Sequence, residues 1–159
     1  MLGSGEEGLM SHQEVLRSIG AEASKHVPDE ADAIIVRVSS LAPTALYAFY
    51  AELADGTRAS IRMSRQLDRQ LFQRLRKVMY RPGLGTWFSA VLRIDRSGSV
   101  DGQFNYDDEP EWDAPVDPIA YVTDFEKYPR DAENQPEWLR RMVAEGYARR
   151  DARSRGSWP

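Results

Sequence analysis

Few residues in this chain can do chemistry, and their spacing limits what they can do. The two histidines, His12 and His26, fall on one expected helix. Their separation along it is roughly 21 Å at 1.5 Å per residue, too far to share a metal or a substrate. The absence of cysteine excludes disulfides, thiol catalysis and thiolate metal sites. No G-x-S-x-G, Walker loop or H-E-x-x-H occurs. Gly83-Leu84-Gly85 lacks the third glycine of a G-x-G-x-x-G loop and follows a helical pattern, so it reads as a turn. The expectation is a protein that is not an enzyme and needs no cofactor.

What remains is a stretch of carboxylates, Asp101 to Asp117 (DGQFNYDDEPEWDAPVD), with no basic residue and with Phe104, Tyr106 and Trp112 interleaved. Four chemistries are open to it. It can be a solvated loop whose aromatics dip into the core. It can hold calcium, since hard cations take carboxylate oxygens, although the EF-hand spacing is absent. Paired acids such as Asp107 and Glu111 could serve an enzyme, given a pocket and a raised pKa. Finally, it can be a recognition surface. Clustered acids steer a basic partner, aromatics beside them anchor it, and Pro110, Pro115 and Pro118 lower the entropy lost on ordering. The partner-binding candidates are Tyr106, Asp107, Asp108, Glu109, Glu111, Trp112 and Asp113, with Tyr106 and Trp112 open equally to a structural role.

Cationic residues gather elsewhere. Arg65, Arg69, Arg74, Arg76 and Lys77 fall off the apolar stripe of an expected second helix. Arg140, Arg141, Arg149, Arg150, Arg153 and Arg155 crowd the C-terminal stretch. The latter offset Glu133, Glu137, Glu145 and Asp151, which suits a solvated helical face. A nucleic-acid-associated regulator using these two helices is the alternative function, although stacking aromatics are missing.

The elements that must position these residues can be read from periodicity. Ser11 and Glu14 form a capping box for a first helix with Val15, Leu16, Ile19, Ala23 and Val27 on one stripe, ended by Pro28. Strand patterning runs from Ala31, turns at Ala42 to Thr44, and turns again at Asp55-Gly56 into Thr57 to Met63. A helix from Ser64 carries Leu67, Leu71, Leu75 and Val78, and Arg81-Pro82-Gly83 breaks it. Strands at Thr86 to Ile94 and Val100 to Tyr106 flank a Ser97-Gly98 turn. A short helix near Ile119 to Tyr128 and a last one from about Gln135 to Arg150, capped by Asn134, complete the chain. The fold class is α+β: one antiparallel sheet of about five strands with helices on one face. Residues 1–10 read as a flexible leader, 11–150 as a single domain and 151–159 as a frayed tail.

Length and composition agree with one core. A chain of 159 residues can bury roughly two-thirds of its unfolded surface. Hydrophobic residues at 42% and charged residues at 29% are ordinary globular usage. The net charge of −4 argues against a phosphate backbone as partner. No apolar run approaches the ~18 residues of a membrane span, and no signal-peptide pattern opens the chain, so a cytoplasmic location is expected.

The C-terminal third also carries a family pattern. Phe-Asn-Tyr-Asp-Asp-Glu-Pro-Glu-Trp (Phe104 to Trp112), Tyr-x-x-Asp-Phe-Glu-Lys-Tyr-Pro-Arg (Tyr121 to Arg130) and Glu-Asn-Gln-Pro-Glu-Trp-Leu (Glu133 to Leu139) together resemble YezG-like immunity proteins. These are bacterial antitoxins encoded beside polymorphic secreted toxins, some of which cleave NAD. The resemblance implies a small α+β protein that binds a cognate toxin domain, an NAD glycohydrolase or a nuclease, and occludes its active site. Asp107, Asp108, Glu109 and Glu111 would then imitate the charge of the toxin's anionic substrate.

Overall fold

Ala31–Leu41 is the longest strand, β1, and it lies in the middle of the sheet. Successive strand side chains point to opposite faces, yet Ile34 and Ile35 are both buried, as a middle strand permits. The structure, a computed structural model, describes residues 11–63 and 67–156. Its other strands are β2 (Thr44–Leu53), β3 (Arg58–Ser60), β4 (Ser89–Asp95) and β5 (Val100–Asn105). They form one antiparallel sheet in the order β3-β2-β1-β4-β5, with Ala51 opposite Ala59 in the β2–β3 pair. The described helices are α1 (His12–Ala23), α2 (Gln70–Val78), α3 (Pro118–Lys127) and α4 (Glu137–Ser154). The fold is therefore α+β with a five-stranded antiparallel sheet, as the pattern predicts.

The described residues cluster into two compact units. The first draws on residues 11–38, 47–63, 67–79 and 90–104. Here α1 begins at the expected cap: the Glu14 N–H donates to Ser11 Oγ at 3.2 Å. Val15, Ile19 and Ala23 bury its stripe completely. Gly20 lets α1 approach the turn after β4, since a Cβ there would overlap the carbonyl oxygen of Gly98. That turn is built by Asp95, whose Oδ1 accepts from the Ser97 N–H and hydroxyl and from the Ser99 N–H. Gly98 supplies the positive φ of +88° that an L side chain resists. In β4, Ala90, Leu92 and Ile94 alternate inward. Leu71, Phe72 and Leu75 of α2 are buried, and Arg69 lies 4.5 Å above the Tyr47 ring.

The second unit draws on residues 39–46, 80–89 and 105–156. Its core is Leu41, Phe88, Tyr121 and Leu139, flanked by the half-buried Trp112, Val116, Trp138, Met142 and Val143. Helices α3 and α4 pack together at Gly146, where a Cβ would overlap the Pro118 carbonyl oxygen and Val122 Cγ2. Buried Asp124 of α3 accepts from the Ala42 N–H at 2.7 Å and so secures the β1–β2 turn.

Several expected boundaries move. The start of α2 at Ser64 lies outside the described residues; within them the helix opens after Asp68, whose Oδ1 accepts from the Gln70 N–H. Arg76 is fully buried rather than on a solvent face. Trp87 and Phe88 precede β4 instead of lying within it. Asn134 does not cap α4: its amide donates to the Gly83 carbonyl at 3.0 Å, and the helix begins after Pro136 with no side-chain cap. At its other end α4 runs on to Ser154, because Arg149–Glu145 and Arg155–Asp151 ion pairs at i,i+4 support the added turns. The expected leader, residues 1–10, and residues 157–159 of the expected tail lie outside the described residues.

Candidate functional site

The acidic segment begins where β5 ends, and one side chain folds its first turn. Asn105 Oδ1 accepts from the N–H groups of Asp107 and Asp108, at 3.2 and 2.8 Å. Its Nδ2 donates to the Asp108 carbonyl and to the Ser89 hydroxyl, both at 2.9 Å. Further tethers follow along the segment. Trp138 Nε1 donates to the Asp107 carbonyl at 2.7 Å, and the Ser39 hydroxyl donates to the Glu111 carbonyl at 2.8 Å. Trp112 Nε1 donates to the Tyr121 hydroxyl at 3.0 Å. Asp117 closes the stretch by capping α3, its Oδ1 accepting from the Ile119 N–H at 3.0 Å.

Beneath the segment lies Arg130, whose side chain is 2% exposed. Its Nη2 donates to the carbonyls of Thr86 (3.2 Å) and Tyr106, and its Nη1 to the Asn134 carbonyl (3.1 Å) and to Asp107 Oδ1 (3.3 Å). The guanidinium stacks 5.0 Å over Phe88. Gly85, at φ +87°, makes room for it, because a Cβ there would collide with Arg130 Nε. The Gly83 carbonyl is held from the same side by the Asp131 N–H and the Asn134 amide.

The backbone is thus fixed while the acids stay in water. Asp107, Asp108, Glu109, Glu111 and Asp113 are all exposed. Asp107 shares its charge with Arg130, and Glu109 lies 3.9 Å from the exposed Arg141 guanidinium. The aromatic candidates belong partly to the framework. Trp112 packs on the core, and Tyr106 is half-buried under the Arg81 guanidinium at 5.9 Å. Burial pushes the Tyr106 phenol up, opposed by Arg81 and Arg130, and burial likewise raises Tyr121.

Two hollows open beside the acids. A groove of about 740 Å³ runs along Glu109 to Val116, floored by Tyr121 and Met142. A cleft of about 560 Å³ is lined by Arg81, Leu84, Tyr106, Asp107 and Asn134. Among the described residues no group of three or more carboxylates or histidines is arranged to hold a metal ion. No described helix is long and apolar enough to cross a membrane.

The arginines of α4 are committed at home. Arg150 pairs with Glu126 and Arg153 with Asp117, each at 2.9 Å. Arg149 pairs with Glu145 within the helix, Arg155 just past its end pairs back to Asp151, and Arg140 donates to the Ala132 carbonyl at 2.6 Å. Sequence reasoning missed Arg130 and Asn134 as organisers of the site. The available signal was the tight turn Arg81 to Gly85, whose glycines need something to pack against. No family model and no curated protein matches the chain.

Proposed function

We propose that this chain is an immunity-type protein of the bacterial cytoplasm that binds a cognate toxin domain and blocks its active site. The toxin is an NAD glycohydrolase or a nuclease, whose anionic substrate calls for a basic cleft. One observation carries the reading: five exposed carboxylates stand on a segment whose backbone is held by Asn105, Arg130, Ser39 and Trp138. Because the segment is ordered before it meets a partner, association does not have to pay for ordering it. Its negative field steers a basic surface and repels nucleic acid. The pairing of Arg149, Arg150, Arg153 and Arg155 with nearby carboxylates weighs in the same direction, since it offsets the positive field of that stretch.

The test is capture from the native host with this protein as bait, followed by co-expression with the captured toxin domain. A stoichiometric partner whose toxicity is relieved supports the reading. A bait that retains nucleic acid alone, lost at raised salt, would replace it with the nucleic-acid regulator.

A further inference from the structure

We infer that the groove along Glu109 to Val116 seats a cationic, part-apolar segment of the partner protein, with an arginine or lysine entering it. The inference rests on the protein-binding reading and names the chemistry of the partner at that site. Three features carry it. The floor is apolar: Trp112, Val116 and Met142 line the groove and pack against the core of Leu41, Phe88, Tyr121 and Leu139. The rim is anionic, with exposed Glu109 and Asp113 at the groove. And the chain already brings a guanidinium to that rim, since Arg141 stands 3.9 Å from Glu109 with both side chains more than half exposed.

A long basic side chain satisfies floor and rim together, its aliphatic stem on the apolar floor and its charged end at the carboxylates. An aromatic floor adds cation–π attraction. An uncharged apolar segment would dehydrate the rim without compensation, and an acidic segment or a phosphate backbone would be repelled. A second copy of this chain would bring another acidic rim. Arg141 partly offsets the charge of Glu109 at the rim, and an incoming cation competes with it there.

The experiment follows the Trp112 indole resonance of the full chain by NMR, assigned with Trp112→Phe. The probes are a capped hexapeptide of alternating leucine and arginine, its leucine–glutamate counterpart, and calcium chloride. The basic peptide should move the resonance saturably, more weakly as salt rises, while the other two leave it in place. Glu109→Lys with Asp113→Lys, both at exposed positions, should lower peptide affinity about tenfold with the thermal midpoint held. Arg141→Gln should raise it about two- to threefold by clearing the rim. An unmoved indole, equal affinity in the double variant, or a shift driven by calcium or by protein concentration alone would overturn the inference. Peptide seating without any toxin partner would sink the immunity reading and leave the groove. A captured toxin held equally by wild type and double variant would do the reverse.

Discussion

Arg130 gathers three backbone carbonyls and a carboxylate that otherwise belong to separate stretches of chain. Removing it leaves those carbonyls without their donor in a buried place. Arg130→Ala should therefore cost about 3 kcal/mol in denaturant unfolding. Arg130→Lys should recover little, because an ammonium cannot reproduce the planar fork. Asp107 sits at the wet end of the same network, 81% exposed, so Asp107→Ala should cost less than about 1 kcal/mol. Equal losses in the two variants would mean that the ion pair, rather than the carbonyl cluster, is what matters. None of this could be read from residue type. An arginine after a proline carries no mark of burial, and its carbonyl partners exist only once distant stretches meet. The acidic candidates were legible because exposure follows from charge. The double allegiance of Trp112 and Tyr106, part framework and part surface, depends on packing that the sequence leaves open.

Elements whose signals are local came through well. The Ser11 cap, the Asp55-Gly56 and Ser97-Gly98 turns and the alternation of β4 each depend on a few adjacent residues. Boundaries set by tertiary contacts did not. Asn134 has the right type for a cap, but the helix starts only after Pro136, and the Asn134 amide instead donates to the Gly83 carbonyl. Helix α4 shows how contact overrides propensity. Gly146→Ala would ordinarily stabilise a helix by about 1 kcal/mol. Here it should destabilise, lowering the thermal midpoint, because Pro118 and Val122 occupy the space.

The start of α3 adds a pH dependence. The Ile119 N–H, and then Arg153, hold the Asp117 carboxyl below the usual carboxylate range. Its value is lower folded than unfolded, so its stabilisation is complete at neutral pH and is lost as pH falls through about 4 and below. Asp117→Asn keeps a capping side chain and loses the charge. A thermal-midpoint series from neutral pH to about pH 2 should show a shallower acid limb for the variant, and an unchanged limb would remove Asp117 from the account.

For the molecule as a whole, the net charge of −4 understates how unevenly charge is available to a partner. Arg149, Arg150, Arg153 and Arg155 each have a carboxylate partner within the chain, whereas Asp108 and Asp113 make no ion pair with a described residue. Reversing Asp108 and Glu109 to Lys should slow association with a basic partner about tenfold at low salt and change dissociation less. Stopped-flow rates across a salt series would show it. Wild-type protein should not retard duplex DNA at physiological ionic strength.

The second unit is assembled from three stretches far apart in the chain, and this bears on how it is made. Ala42 receives its partner from Asp124, 82 positions later, and the Ser39 hydroxyl meets Glu111, 72 positions later. While the chain emerges from a ribosome, the last three residues of β1, Ser39 to Leu41, must wait for the last helices to be synthesised. The first unit has all its stretches by Phe104 and can close earlier. Nascent chains stalled before α3 should expose Leu41 and Phe88 to chaperones and proteases, and full-length release should bury them. The backbone that carries the acidic segment would then be held in place only at the end of translation, so that a chain cut short lacks it.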